Sequence, residues 1–217
     1  MSKSVWDRIE EARGRHNVLE HPFYVRWSEG QLSSEELARY SGQYRHATEA
    51  IAKLSADASK TAPPEARDEL RRHADEEQDH IGLWDDFVEA AGGTIGAEPT
   101  PETADCVREW TSPNDYVEAL AHLYAIESGQ PEIAKVKSEG LAEHYGINEG
   151  PATEYFRVHE LADVEHAEES RRLISAALAA AAQAKPSSDE SGDSDEDRVV
   201  HAAEAAFEAN WRLLDGV

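Results

Sequence analysis

The 217-residue chain has one cysteine, Cys106, and one methionine. A lone thiol excludes an intramolecular disulfide, a zinc knuckle and a cysteine-held cluster. Cys106 reads as a small packing residue rather than a nucleophile. No apolar run approaches the roughly 18–20 residues of a membrane span. The longest weakly apolar stretch, 173–184, is mostly alanine and contains Ser175 and Gln183. The first residues, Met-Ser-Lys-Ser-Val-Trp-Asp, lack the apolar centre of a signal peptide. A cytoplasmic protein without a membrane partner is expected. Strand signals are missing as well: there is no sustained period-two alternation and few clusters of Val, Ile or Thr. Lysine is scarce, at six of 21 basic residues.

Acid is abundant. With 45 Asp and Glu the net charge is −24 and the isoelectric point about 4.7. So large a charge repels itself at low ionic strength. At molar salt the screening length falls to about 3 Å and the repulsion fades. Excess acid with little lysine fits a high-salt, haloarchaeal cytoplasm; the alternative is an acidic protein that meets a basic partner. No nucleic-acid partner is expected, because its phosphates would be repelled.

The length suits one domain, and the chain reads as almost all helix. A first amphipathic helix spans 5–18, with Gly14 as a weak point, and a short aromatic segment spans 21–27. Ser33 and Glu36 form a capping box that opens a helix to about Lys60. Pro63-Pro64 starts the next, which ends near Gly92-Gly93. A short helix over 101–110 follows, then a long one from Ser112-Pro113 to about Tyr145. Pro131 inside it removes an N–H and crowds the carbonyl of Glu127, so a kink is expected there. The helix over 153–184 precedes an acidic low-complexity segment, 186–198, expected to be a mobile loop. A terminal amphipathic helix over 199–214 carries Val200, Ala203, Ala206, Phe207, Trp211 and Leu214 as one stripe. It is expected to dock on the bundle, with a homodimer contact as the alternative.

His159, Asp163 and His166 stand at i, i+4 and i+7. At about 100° per residue they lie within roughly 60° on one helix face. Two imidazoles and a carboxylate converging from one helix are ligands of the type that holds Fe, Mn or Zn. In so acidic a chain a solvated face is the alternative. Helical-bundle metal sites draw Glu and Glu-x-x-His from facing helices. Glu77 and His80 have that i, i+3 spacing, and Glu76 and His80 stand at i, i+4. Glu127 ends an otherwise apolar stretch, 119–126, so it should point inward, where it needs a cation or a proton. Three carboxylates and three histidines fit a carboxylate-bridged dinuclear site. His16, His21, His46, His122, His144 and His201 form no second spaced set and read as surface or satisfied core residues.

Several segments resemble a known family in order and spacing: His-Pro-Phe-Tyr-Val-Arg-Trp-Ser-Glu-Gly-Gln-Leu at 21–32, the Glu pair with His80-Ile-Gly-Leu-Trp, Tyr-Ala-Ile-Glu127-Ser, and His159-x-x-x-Asp163-x-x-His166. They are similar to the haem-oxygenase-like dimetal oxidases. Within them they most resemble the branch of the chlamydial protein associating with death domains (CADD), the self-sacrificing para-aminobenzoate synthases. The resemblance spans about residues 5–183 and is weaker at the last helix. It implies an all-α, seven-helix haem-oxygenase-like bundle of TenA/PqqC-like architecture, without haem. It also implies a dinuclear Fe/Fe or Fe/Mn centre that activates O2 with an external reductant. His80, Glu127, His159, Asp163 and His166 match the family's ligand positions. The first carboxylate stays open, because the chain is about three residues short between the Glu pair and His80. Helical geometry favours Glu77, alignment favours Glu76, and His73 is a third candidate. Tyr24, Tyr40 and Lys137 match positions that in this branch supply the aromatic ring and the proposed amino group. For the tyrosines the alternative is core packing with a hydrogen-bonded hydroxyl.

The expected activity is therefore an O2-dependent dimetal oxidase. It would make para-aminobenzoate for folate-type or pterin cofactors by oxidising Tyr24 or Tyr40. Competing readings are a related dimetal oxidase acting on a free small molecule, a metal-free TenA- or PqqC-like bundle, and a helical interaction protein.

Overall fold

The computed structural model describes residues 3–113, 115–184 and 194–217. Among them are nine α-helices: α1 Val5–Arg15, α2 Pro22–Ser28, α3 Ser34–Thr61, α4 Pro64–Ala90, α5 Pro101–Trp110, α6 Tyr116–Glu127, α7 Gln130–His144, α8 Pro151–Ala184 and α9 Asp195–Asp215. No strand occurs among the described residues.

The expected helix signals operate locally. The Ser33 hydroxyl accepts from Glu36 N–H while the Glu36 carboxylate accepts from Ser33 N–H, closing the box that starts α3. Pro64 opens α4, where a missing N–H costs nothing. At the far end of α4, Gly92 takes φ +74° and lets Gly93 N–H reach the Val88 carbonyl.

Three boundaries differ from the sequence reading. The helix expected to kink at Glu127 is broken in two. Ser128 and Gly129 separate α6 from α7, with Pro131 in the first turn of α7. Proline offers no N–H to the Glu127 carbonyl, and the chain restarts rather than bends. That break and the short α2 turn the expected seven helices into nine. The first helix stops at Arg15, and Val18–Glu20 forms a separate 3-10 turn. The last helix begins at Asp195, four residues earlier than expected. Ser194 and Asp197 cap each other there, so the end of the acidic segment is helix start, not loop. Residues 186–193 of that segment lie outside the described residues.

α3 and α4 form the most extensive pair. α8 packs across α4, α6 and α7, and α9 covers α1, α5 and α6. Trp27, Trp84, Trp110, Tyr40, Tyr44 and Tyr155 are the bulkiest fully enclosed aromatics. Burying such side chains contributes roughly 1.5–3 kcal/mol each. Gly140 permits a close approach: a Cβ there would sit 2.6 Å from Trp27 Nε1. The bare backbone lets Trp27 donate to the Lys137 carbonyl at 3.3 Å, which fixes α7 against α2. Cys106 is buried packing, as expected.

Candidate metal centre and phenol chamber

The α4, α6 and α8 faces meet on a cluster of buried polar side chains. α4 brings His73, Glu77 and His80, α6 brings Glu127 at its last turn, and α8 brings His159, Asp163 and His166. All seven are buried. Their ligand atoms fall into three overlapping trios, each within 4.8 Å: His73, Glu127 and His166; Glu77, His80 and His159; Glu77, Asp163 and His166. Glu77 sits in two of the trios. Its carboxylate lies 3.1 Å from His80 Nδ1, 3.9 Å from His159 Nε2 and 3.8 Å from His166 Nδ1.

Many of these atoms lack a hydrogen bond. His159 Nδ1 donates to the Tyr155 carbonyl at 2.7 Å, leaving Nε2 unpartnered towards Glu77. Both Asp163 oxygens, both Glu127 oxygens, both His73 nitrogens and His166 Nδ1 are likewise unpartnered. Orphaned buried polar atoms cost roughly 1–3 kcal/mol each and call for a compensating partner. Imidazoles and carboxylates converging from three rigid helices are the donor set that divalent transition metals take. On that test the residues fit two metal ions.

The electrostatics respond to this crowding. Burial pushes the Glu127 carboxyl up, more than the neighbouring His73 pulls it down. For Glu77 burial acts upwards too, but His159 and His80 win and hold it well below the usual carboxylate range. Burial works against protonated His166; Asp163, Glu127 and Glu76 outweigh it and raise the imidazole to about 10.

The two candidates for the first carboxylate separate clearly. Glu77 enters the cluster. Glu76 lies at its rim with a side chain 39% exposed, paired to Arg72 at 2.9 Å and to His166 Nε2 at 3.0 Å. The Glu76–Arg72 pair is a surface contact, but the Glu76–His166 bond fixes which imidazole nitrogen faces inward.

Tyr24, Tyr40 and Lys137 come together in a second enclosed space between α2, α3 and α7. The Tyr24 and Tyr40 hydroxyls are 3.1 Å apart. Lys137 Nζ lies within 4.6–5.8 Å of the ring centres of Tyr24, Tyr40, Tyr44, Trp84 and Phe156. Burial lowers its pKa to about 7, against a smaller opposing pull from Asp163. Burial also holds the Tyr24 and Tyr40 hydroxyls well above 10. Ring contacts of Tyr155 and Trp84 link this chamber to the cluster. Tyr155 stacks on His159 at 3.8 Å and meets Trp84 edge-on at 4.8 Å, and Trp84 lies 4.9 Å from Tyr44.

Sequence reading missed Tyr44, the ring nearest Lys137, and Gln130, which donates to the Tyr44 hydroxyl at 3.1 Å. Tyr155 was missed too, although its place one turn before His159 was a usable signal. Of the other histidines, His21, His46 and His144 each hydrogen-bond. His122 departs from the expectation. It is buried with neither nitrogen hydrogen-bonded, and burial lowers its pKa to about 4.

An open surface cleft of about 330 Å³ is lined by Glu10, Arg13, Ser128, Asp163, Val164 and Arg171 among others. Among the described residues no helix is long and apolar enough to cross a membrane.

A protein family described as iron-containing redox enzymes matches residues 38–210. The 4-aminobenzoate synthase of Chlamydia trachomatis is 31% identical, covering 96% of this chain and 90% of its own length. The protein of the same name from Nitrosomonas europaea is 32% identical, covering 94% and 87%. Among solved structures, a TenA homologue from Pseudomonas syringae aligns with a TM-score of 0.78 at 18% identity, over 98% of this chain and 90% of that one. A CADD-like protein from Nostoc punctiforme aligns at 0.70 and 19%, over 97% and 94%. These structures speak to the fold, and the family match to the lineage: the chain belongs to the iron-containing redox enzymes with a haem-oxygenase-like fold.

Proposed function

We propose that this protein is an O2-dependent dimetal oxidase that makes 4-aminobenzoate from one of its own tyrosines. The observation that carries the reading is the adjacency of two enclosed spaces. One is a seven-residue ligand cluster. The other is a chamber holding three phenols and a primary amine, linked to it through the ring contacts of Tyr155 and Trp84. The relatives' shared name, 4-aminobenzoate synthase, supports the product.

Glu77, His80, Glu127, His159, Asp163 and His166 would hold the metals. Two reduced ions, Fe/Fe or Fe/Mn, would supply electrons to O2, with an external reductant or electron-donor protein restoring them. Tyr24 and Tyr40 are fixed in the fold, so the phenol meets the oxidant at high effective concentration. One hydroxyl donates to the other at 3.1 Å, which fixes the relative orientation of the two rings. The surrounding rings exclude water. With a pKa of about 7, a large share of the Lys137 amine is unprotonated, hence nucleophilic, at neutral pH.

Intact-mass spectrometry before and after exposure to O2 and reductant tests this. One product per chain at most, with loss of the Tyr24 or Tyr40 side chain in peptide maps, is the expected result. A second reading, oxidation of a free small molecule, is favoured by the surface cleft that Asp163 helps to line. Many turnovers with both tyrosines intact would establish it instead.

A further inference from the structure

The sequence offers His73 only as an alternative first ligand beside Glu76 and Glu77, and the structure buries it fully inside the cluster. Its spacing is informative. His73, Glu77 and His80 stand at i, i+4 and i+7 on α4, and His159, Asp163 and His166 stand at i, i+4 and i+7 on α8. Two facing helices carry the same pattern of histidine, acid and histidine.

The two patterns meet head to tail. His73, first on α4, stacks on His166, last on α8, with ring centres 3.8 Å apart and planes at 24°. His80, last on α4, meets His159, first on α8, at 4.5 Å. Glu77 and Asp163 lie between these pairs, in one trio with His166. The arrangement is close to a two-fold relation, with one histidine from each helix at each pole. Glu127 breaks the symmetry by joining the His73–His166 pole alone.

His73 forms an ion pair with Glu127 that leaves other polar atoms of both residues unpaired. Its Nε2 is 2.9 Å from Glu127 Oε1, but the two are not aligned as a hydrogen bond. Nδ1 has no acceptor either. The ligand atoms of His73, Glu127 and His166 all lie within 4.8 Å of one another, close enough to share one ion.

We propose that His73 is itself a metal ligand. Each of two metal positions then takes one histidine from α4 and one from α8, and the centre holds four histidines. This rests on the dimetal reading above.

The test is anaerobic titration of the metal-free protein with Fe2+ and, separately, with Co2+. Wild type, His73→Ala and His73→Gln are compared, with helical content followed by circular dichroism. Wild type binding about two ions per chain, with one ion in the variants weakened by roughly a hundredfold or more, is the expected result. That exceeds the tenfold to hundredfold range of a group that merely orients a ligand. Both variants keeping two ions within tenfold of wild-type affinity would overturn the proposal and leave the dimetal reading standing. Wild type that binds neither metal would overturn both. Proton NMR of Co2+-loaded wild type decides the matter even where the variants fold poorly. Each coordinated imidazole contributes one shifted, exchangeable N–H signal. Four signals, from His73, His80, His159 and His166, support the proposal, and three overturn it.

Discussion

The cluster between α4, α6 and α8 and the chamber between α2, α3 and α7 are equally buried, yet they treat polar atoms in opposite ways. In the cluster, imidazoles and carboxylates crowd together with their lone pairs unspent. In the chamber, one amine and three phenols are wrapped in aromatic rings, and the hydroxyls bond to each other or to Gln130. The cluster leaves donor atoms without partners, whereas the chamber's hydroxyls have theirs. If the proposed function is right, the metals supply the oxidant and the chamber supplies the material. The two regions should then fail separately.

The largest effect is expected on the cluster side. His159→Ala, Asp163→Ala and His166→Ala should each drop metal content from about two ions per chain to one or none, with helical content kept. Elemental analysis after desalting measures this. Full occupancy in all three would break the comparison at its root. The chamber should answer differently. Tyr24→Phe should abolish product while metal content stays at the wild-type level. The lost hydroxyl bond should cost only about 1 kcal/mol of stability. Tyr40→Phe identifies the consumed ring: product that persists there and vanishes in Tyr24→Phe assigns the role to Tyr24. Metal lost from either phenylalanine variant would show that the regions are one site.

The regions also differ in how far the sequence reveals them. A helix turns spacing into geometry, so His159, Asp163 and His166 could be placed on one face without any structure. The same rule applied to His73, Glu77 and His80, but the adjacent Glu76-Glu77 pair drew the reading towards a choice between carboxylates. The structure gives each a place, Glu77 inside and Glu76 at the rim. No local rule brings Tyr24, Tyr40, Tyr44 and Lys137 together, because they come from three helices that meet only when folded. There only resemblance pointed to the site, and it left out Tyr44. Helix identities were legible from proline, capping and apolar period. The break at Ser128-Gly129 was misjudged as a bend, since spacing does not say whether a chain without one hydrogen bond bends or restarts. The Ser194–Asp197 cap lies in a stretch whose acidic composition reads as loop, although its serine–acid spacing also marks a helix start.

A third prediction concerns pH and separates the amine from the metals. Lys137 has a folded pKa near 7 against 10.5 for an ordinary lysine. Between those values the unfolded chain holds a proton that the folded chain lacks, so stability rises with pH across this window. Below about 7 both states are protonated and the penalty is full; above about 10.5 both are neutral and it is gone. The difference corresponds to at most about 5 kcal/mol. Lys137→Met should therefore raise the melting temperature most near pH 6, and the gain should shrink towards pH 10. A gain that does not change with pH would place the amine in contact with solvent or with an anion, contrary to its ring-lined setting.

The smallest effect is expected at Glu76, which touches the cluster without belonging to it. Its carboxylate accepts from His166 Nε2 at 3.0 Å, leaving Nδ1 to face Glu77 and Asp163. A carboxylate behind a metal-bound imidazole fixes the tautomer and makes the ring a better donor. Glu76→Gln keeps the shape but removes the charge, and should weaken metal binding by roughly tenfold to a hundredfold without lowering the number of ions bound. Glu76→Asp tests whether charge without reach restores the bond. Arg72 pairs with the same carboxylate on its solvent side, so Arg72→Ala should change affinity less than Glu76→Gln. Loss of one whole ion in Glu76→Gln would move Glu76 into the cluster and undo its separation from Glu77. Affinity unchanged in Glu76→Gln would mean that the Tyr155-anchored His159 and its partners hold the metals without help from the rim.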